Sequence, residues 1–148
     1  MIVENRPARE YPHVMYRASF TYEQAVRAWA ARHFSLSGNS VNSLRITLKD
    51  GDIIEKLLPR TRGIKGLFTK DQAAEYGARL EIEVAIIDPN GKVLVATTAK
   101  AVQTQTVTEG TTEEEKRGVW SDMIKATFDN LDAELQPRIR MSLAGYVH

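Results

Sequence analysis

The alternation of apolar and polar residues predicts the centre of a β-sheet in the second half of the chain. Leucine, isoleucine or valine occupies every second position from Leu80 to Ile86, and Glu81 and Glu83 lie at two of the three positions between them. A period of two is typical of a strand with one buried face. The turn motif Asp88-Pro-Asn-Gly91 follows, and a segment rich in valine and threonine then runs to about Thr106. This pattern predicts a β-hairpin over residues 79–106.

Two other segments have the spacing of amphipathic helices. Residues 22–33 begin directly after Thr21, which forms a candidate capping box with Gln24. They carry an apolar stripe that includes Trp29. Residues 113–144 follow a second capping box, with an apolar stripe formed by Trp120, Ile124, Phe128, Leu131 and Leu135. Pro137 removes a backbone donor, but the stripe continues beyond it, so we expect one kinked helix rather than two helices.

The rest of the chain gives shorter signals. Residues 44–48 alternate as a strand, and Asp50-Gly51 is either a hairpin turn or a bulge in one strand running to Leu58. Residues 2–5 and 14–20 read as extended, and residues 69–77 as a short helix. The elements together predict an α+β fold: a two-layer sandwich in which both helices pack on a mostly antiparallel sheet. We expect residues 1–148 to form this single domain.

Composition and motifs argue against catalysis and against metal binding. The 148 residues include no cysteine and only three histidines, which are far apart in sequence. There is no nucleophile elbow and no metal-binding helix motif. The Glu81 and Glu83 pair is explained by the solvated face of a strand. No apolar run reaches the roughly 20 residues of a membrane-spanning helix. We therefore expect a protein without enzymatic activity, without a cofactor or metal, and without a transmembrane segment.

One basic and apolar segment, residues 56–70, is the best candidate for a contact surface. It contains five lysines and arginines and no acidic residue, and the formal net charge of the chain is only +1. The residues expected to bind a partner are Arg60, Arg62, Lys65, Leu67 and Phe68. The purely structural interpretation is an ordered loop whose apolar residues enter the core and whose charges are solvated.

Several stretches resemble a group of proteobacterial envelope lipoproteins of unknown function. They are Leu58-Pro-Arg-Thr-Arg-Gly-Ile-Lys-Gly-Leu-Phe-Thr69, Gln72-Ala-Ala-Glu-Tyr76, Leu80-Glu-Ile-Glu-Val-Ala-Ile-Ile-Asp88, and the run from Thr106-Val107 through Trp120 to Leu131-Asp-Ala-Glu-Leu135. The order of elements is also similar to that of the auxiliary lipoproteins of ABC-type envelope transport systems. The resemblance implies a periplasmic domain, anchored to the outer membrane through a lipidated cysteine upstream of Met1, and it supplies no catalytic residue.

The leading hypothesis is a non-enzymatic binding or scaffold domain of the bacterial envelope, possessing a protein partner or a membrane surface as its target. The alternative is a cytosolic module that binds nucleic acid or another anion through the same basic loop. That alternative draws on Gly63 and Gly66, which match the bare Gly-x-x-Gly pattern of a backbone-clamping loop. Nucleic acid is the less favoured partner, because such loops join two helices and this segment follows a strand.

Overall fold

A four-stranded sheet covered by two α-helices forms the fold. The computed structural model describes residues 2–4, 6–33, 41–59 and 72–143. In these ranges the elements are β1 (Ile2–Val3), a short 3-10 helix (Met15–Arg17), α1 (Tyr22–His33), β2 (Ser43–Leu57), β3 (Gln72–Ile87), β4 (Val93–Thr108) and α2 (Glu113–Ser142). The strands lie in the order β1-β2-β3-β4; β1 pairs parallel with β2, and the other pairs are antiparallel. The predicted α+β class with a mostly antiparallel sheet is confirmed.

Both helices cover the same face of the sheet and enclose the core. α1 packs on β2, while α2 packs on β4 and β3. The fully buried side chains at the centre come from α1, β3 and α2. They include Trp29, Leu80, Ile82, Trp120 and Leu131. Burial of this apolar surface is the main stabilising contribution to the fold.

The helix predictions are confirmed in position and in capping. α1 covers the predicted residues, and the Gln24 amide N–H donates to Thr21 Oγ1 while the Thr21 N–H donates to Gln24 Oε1. In α2 the Glu115 N–H donates to Thr112 Oγ1. No break occurs at Pro137, which lies inside α2. Pro137 and Ala133 are both exposed, so water can satisfy the carbonyl that loses its donor.

The hairpin of β3 and β4 is longer than predicted, and the short helix predicted over residues 69–77 is wrong. Residues 72–77 form the first part of β3, and residues 69–71 lie outside the described ranges. Ala74, Tyr76 and Ala78 are buried at every second position, which is the period of a strand. Small side chains hid this alternation in the sequence, because the buried Ala74 is preceded by another alanine, Ala73, and the buried Ala78 by Gly77, so neighbouring positions on opposite faces differ little in hydropathy.

Asp50-Gly51 belongs to a bulge within one long strand and not to a hairpin turn. The register between β2 and β3 shifts between Leu48 and Asp50, so Lys49 is the extra residue. Gly51 lies against the ring of Tyr22, where an added Cβ would come within 3.1 Å of the Tyr22 Cβ. The lack of a side chain at Gly51 therefore allows α1 to approach the strand closely.

The N-terminal strand β1 lies beside β2 and forms one edge of the sheet. The strand predicted over residues 2–5 is confirmed at Ile2 and Val3, and Ile2 pairs with Thr47; Glu4 lies outside the strand and residue 5 outside the described ranges. The extended conformation predicted for residues 14–20 is wrong at its centre, where Met15–Arg17 forms one 3-10 turn. The turn lets the consecutive residues Val14 and Met15 both enter the core, which an extended strand would prevent.

Candidate functional site

β2 and β3 are adjacent antiparallel strands, and the basic segment lies between them in the chain. The described part of β2 ends at Leu57 and the described part of β3 begins at Gln72; residues 58–71 are here named the connection. The connection contains most of the basic segment predicted as a contact surface, and residues 60–71 lie outside the described ranges.

The five residues predicted to bind a partner all lie outside the described part of the chain. They are Arg60, Arg62, Lys65, Leu67 and Phe68. What the structure describes is the base from which they emerge. The Leu58 N–H donates to the Ala73 carbonyl at 3.0 Å, which extends the ladder past the end of β2. Leu57 is 64% exposed, so the last residue of β2 lies outside the core.

A charged pair links the N-terminal segment to the helical layer. Arg17 Nε donates to Glu113 Oε1 at 2.8 Å, and Arg17 NH2 donates to the other carboxylate oxygen, Oε2. This bidentate geometry is the strongest form of an arginine–carboxylate contact. The hydrogen bond from Arg17 lowers the pKa of Glu113, and the same bond raises the pKa of Arg17. The pair joins the 3-10 turn to the first turn of α2.

Two aromatic residues continue the cluster into the core. The guanidinium of Arg17 lies 5.1 Å from the centroid of the Trp120 ring, within the range of a cation–π contact. The Trp120 ring meets Tyr76 edge to face, with centroids 5.5 Å apart. Tyr76 Oη donates to Glu55 Oε2 at 2.8 Å, and Glu55 is the register partner of Tyr76 across β2 and β3. Burial is the first cause that raises the pKa of Tyr76, and the hydrogen bond to Glu55 is the second.

The cluster of Arg17, Glu55, Tyr76, Glu113 and Trp120, here named the base cluster, was missed by sequence reasoning. Arg17 and Glu113 are 96 residues apart, and no local pattern connects them. The sequence assigned Glu113 only to the dipole of the helix N-terminus. The role of the base cluster is positional: its contacts link the 3-10 turn, the first part of α2 and the paired residues Glu55 and Tyr76 of β2 and β3.

The outer face of the sheet carries acidic residues that are committed to ion pairs. Glu83 lies 3.6 Å from Arg45 and 3.4 Å from Lys49, and Glu81 lies 3.8 Å from Lys100. These pairs support the structural interpretation of the two glutamates. The cross-strand arrangement of opposite charges stabilises neighbouring strands modestly.

A second polar cluster surrounds Asp52, which is only 2% exposed. His13 Nδ1 lies 2.5 Å from Asp52 Oδ2, the Ile53 N–H donates to Asp52 Oδ1 at 2.8 Å, and Arg79 bonds the adjacent Asp50. These contacts fasten the N-terminal segment to the bulged part of β2. Among the residues that the structure describes, no group of three or more histidines and carboxylates has the geometry to hold a metal ion.

Neither α1 nor α2 combines the length and the apolar character that a membrane crossing requires, within the residues described. Comparison with models of protein families and with curated proteins found no match for this chain. The function is therefore argued from the residues themselves.

Proposed function

We propose that the chain is a non-enzymatic binding domain of the bacterial envelope, which contacts a protein or a membrane surface through residues 56–70. The observation that carries the proposal is the composition of residues 56–70, which contain five lysines and arginines and no acidic residue in a chain whose formal net charge is only +1.

The composition of the connection supports docking to an anionic or amphipathic surface. Arg60, Arg62 and Lys65 provide positive charge, and Leu67 and Phe68 provide apolar surface next to it. A basic and apolar segment of this kind gains both electrostatic attraction and burial of apolar area at a membrane surface or in a protein groove. The base cluster supplies a fixed mount, which limits the entropy lost when the connection docks.

Charge reversal tests the proposal. The variant Arg60→Glu, Arg62→Glu, Lys65→Glu is compared with a control, Lys92→Glu, Lys125→Glu, Arg140→Glu, whose sites are exposed and lie elsewhere. Both variants change the net charge by the same amount. Flotation with phosphatidylglycerol vesicles measures binding to a membrane surface, and site-specific photocrosslinking from positions 67 and 68 in bacterial cells detects a protein partner.

We expect the connection variant to lose vesicle binding or the discrete crosslink, and the control to keep it, at equal thermal stability. Binding that survives in the connection variant would remove residues 60–65 from the contact surface. Steep salt dependence of binding to nucleic acid, with no binding to vesicles or protein, would favour the cytosolic alternative. Cell fractionation of the full reading frame tests the envelope location separately.

A further inference from the structure

An open groove lies between the N-terminal segment, the start of α1 and the middle of β2. Its volume is about 330 Å³. Met15, Tyr22 and Leu48 form its apolar floor, with Val3 beside them. The groove is near the bulge of β2 and is therefore separate from the connection that leaves the end of that strand.

Two arginines at the border of the groove have no carboxylate partner among the residues that the structure describes. Arg6 and Arg9 both line it and are exposed. In the part of the chain that the structure describes, neither has an ion pair, whereas Arg17, Arg45 and Arg79 each have one. The acidic residue at the groove, Glu23, is paired with Arg27 at 3.0 Å. The border of the groove consequently has unneutralised positive charge next to an apolar floor.

We propose that this groove binds an anionic amphiphile, a molecule with an apolar chain and a carboxylate or phosphate head. The chain would lie on the floor, and the guanidinium groups of Arg6 and Arg9 would bind the head. Planar guanidinium groups match the oxygen geometry of both carboxylate and phosphate. Tyr16, which is 42% exposed and lines the groove, can cover the chain with its ring.

The combination of an apolar floor and a positively charged border favours an anionic amphiphile over an inorganic anion and over a neutral lipid. A free inorganic anion would leave the floor in contact with water, and a neutral lipid would leave the two arginines without a new partner. Small-molecule sites commonly combine an apolar lining with a few polar groups that fix orientation. The inference does not depend on the envelope location or on residues 56–70.

Titration calorimetry with single-chain probes tests the groove. Decanoate and decyl phosphate distinguish the two head groups, decanol tests the need for charge, and inorganic phosphate tests the need for the chain. The variant Arg6→Ala, Arg9→Ala is compared with Lys92→Ala, Arg140→Ala, which removes the same charge at exposed positions elsewhere. Hexanoate is included to measure the effect of chain length in the unmodified protein.

We expect decanoate or decyl phosphate to bind, and affinity for it to fall by roughly 100-fold in the double arginine variant, about tenfold for each lost charge-assisted hydrogen bond. The control should bind as the unmodified protein does, and hexanoate should bind more weakly than decanoate. The proposal is overturned if neither anionic probe binds, if decanol binds as tightly, if inorganic phosphate binds as tightly, or if the control loses as much affinity. The chain-length comparison stays decisive even if the arginine variant does not fold.

Discussion

The indole of Trp29 in α1 donates a hydrogen bond of 2.6 Å from Nε1 to the Oδ1 of Asp132 in α2. Gln136 Nε2 donates to the same oxygen at 3.0 Å. The ring of Trp29 also meets the ring of Phe128 edge to face, with centroids 5.8 Å apart. A polar contact and an aromatic contact thus join the two helices at one place, and together they fix how α1 lies beside α2.

Asp132→Ala should destabilise the protein by about 1–3 kcal/mol, because it removes a charged acceptor from a buried indole N–H. Asp132→Asn keeps an acceptor oxygen and should cost less. Asp129→Ala, at an exposed position on the same helix, should change the free energy of unfolding by less than about 0.5 kcal/mol. Urea unfolding measures all three, and equal losses at positions 129 and 132 would contradict the role of this hydrogen bond.

Gly51→Ala should destabilise the protein by about 1–3 kcal/mol through overpacking. The new Cβ would meet the Tyr22 Cβ at 3.1 Å and the Leu48 Cδ1 at 3.3 Å. Gly118→Ala is the matched control, because nothing lies within 4 Å of a Cβ at that helical position. It should stabilise the protein by about 0.5–1 kcal/mol, since alanine is the better helix former. Thermal melts that shift in the same direction for both variants would refute this difference.

Glu113→Gln should destabilise the protein at neutral pH and much less in acid. The hydrogen bond from Arg17 lowers the pKa of Glu113 in the folded state, below the value of about 4.3 expected in the unfolded chain. The stability that this carboxylate contributes is therefore complete above the unfolded pKa and is lost as the pH falls through the folded pKa. Urea unfolding between pH 7 and pH 3 should show the difference between the two proteins shrinking; a constant difference would rule out this linkage.

Tyr22 and Tyr76 should ionise only well above the ordinary tyrosine pKa of about 10. Burial raises the pKa of Tyr22 to about 12, and burial together with the hydrogen bond to Glu55 raises that of Tyr76 further. Stability linked to each phenol is full below the unfolded pKa and is lost as the pH rises through the folded pKa. In an absorbance titration at 295 nm, Tyr22→Phe and Tyr76→Phe should each remove part of the late increase. Loss of an early part instead would show that the phenol is solvated.

The parts of the fold that were predictable are those where one residue type repeats with a fixed period. Large apolar residues alternate through Leu80–Ile86 and recur along α2, so both elements were located correctly. The start of β3 was not, because Ala73, Ala74 and Gly77 give an alternation of burial with little alternation of hydropathy. The choice between turn and bulge at Gly51 could not be made locally, since it depends on the ring of Tyr22 in another element.

The composition of the candidate site could be predicted from the sequence, but the base cluster beside it could not. The run of basic residues after Leu57 can be read directly from the chain. The base cluster cannot be read from the chain in this way, because Arg17 and Glu113 meet only after the sheet and α2 have packed. That Arg6 and Arg9 form no ion pair with any other described residue likewise depends on what the fold places near them.

The extra residue Lys49 changes which positions of β2 face the helices. Before it, the even-numbered residues Ile46 and Leu48 face the helices; after it, the odd-numbered Gly51 and Ile53 do. Removing this one residue would leave Leu48, Asp50 and Gly51 opposite Ile82, Glu81 and Leu80 in unbroken succession, so the downstream residues would keep their faces and only the bulge would disappear. The extra residue therefore offsets the alternation along β2 from that along β3, and the pairing on either side of it does not require it.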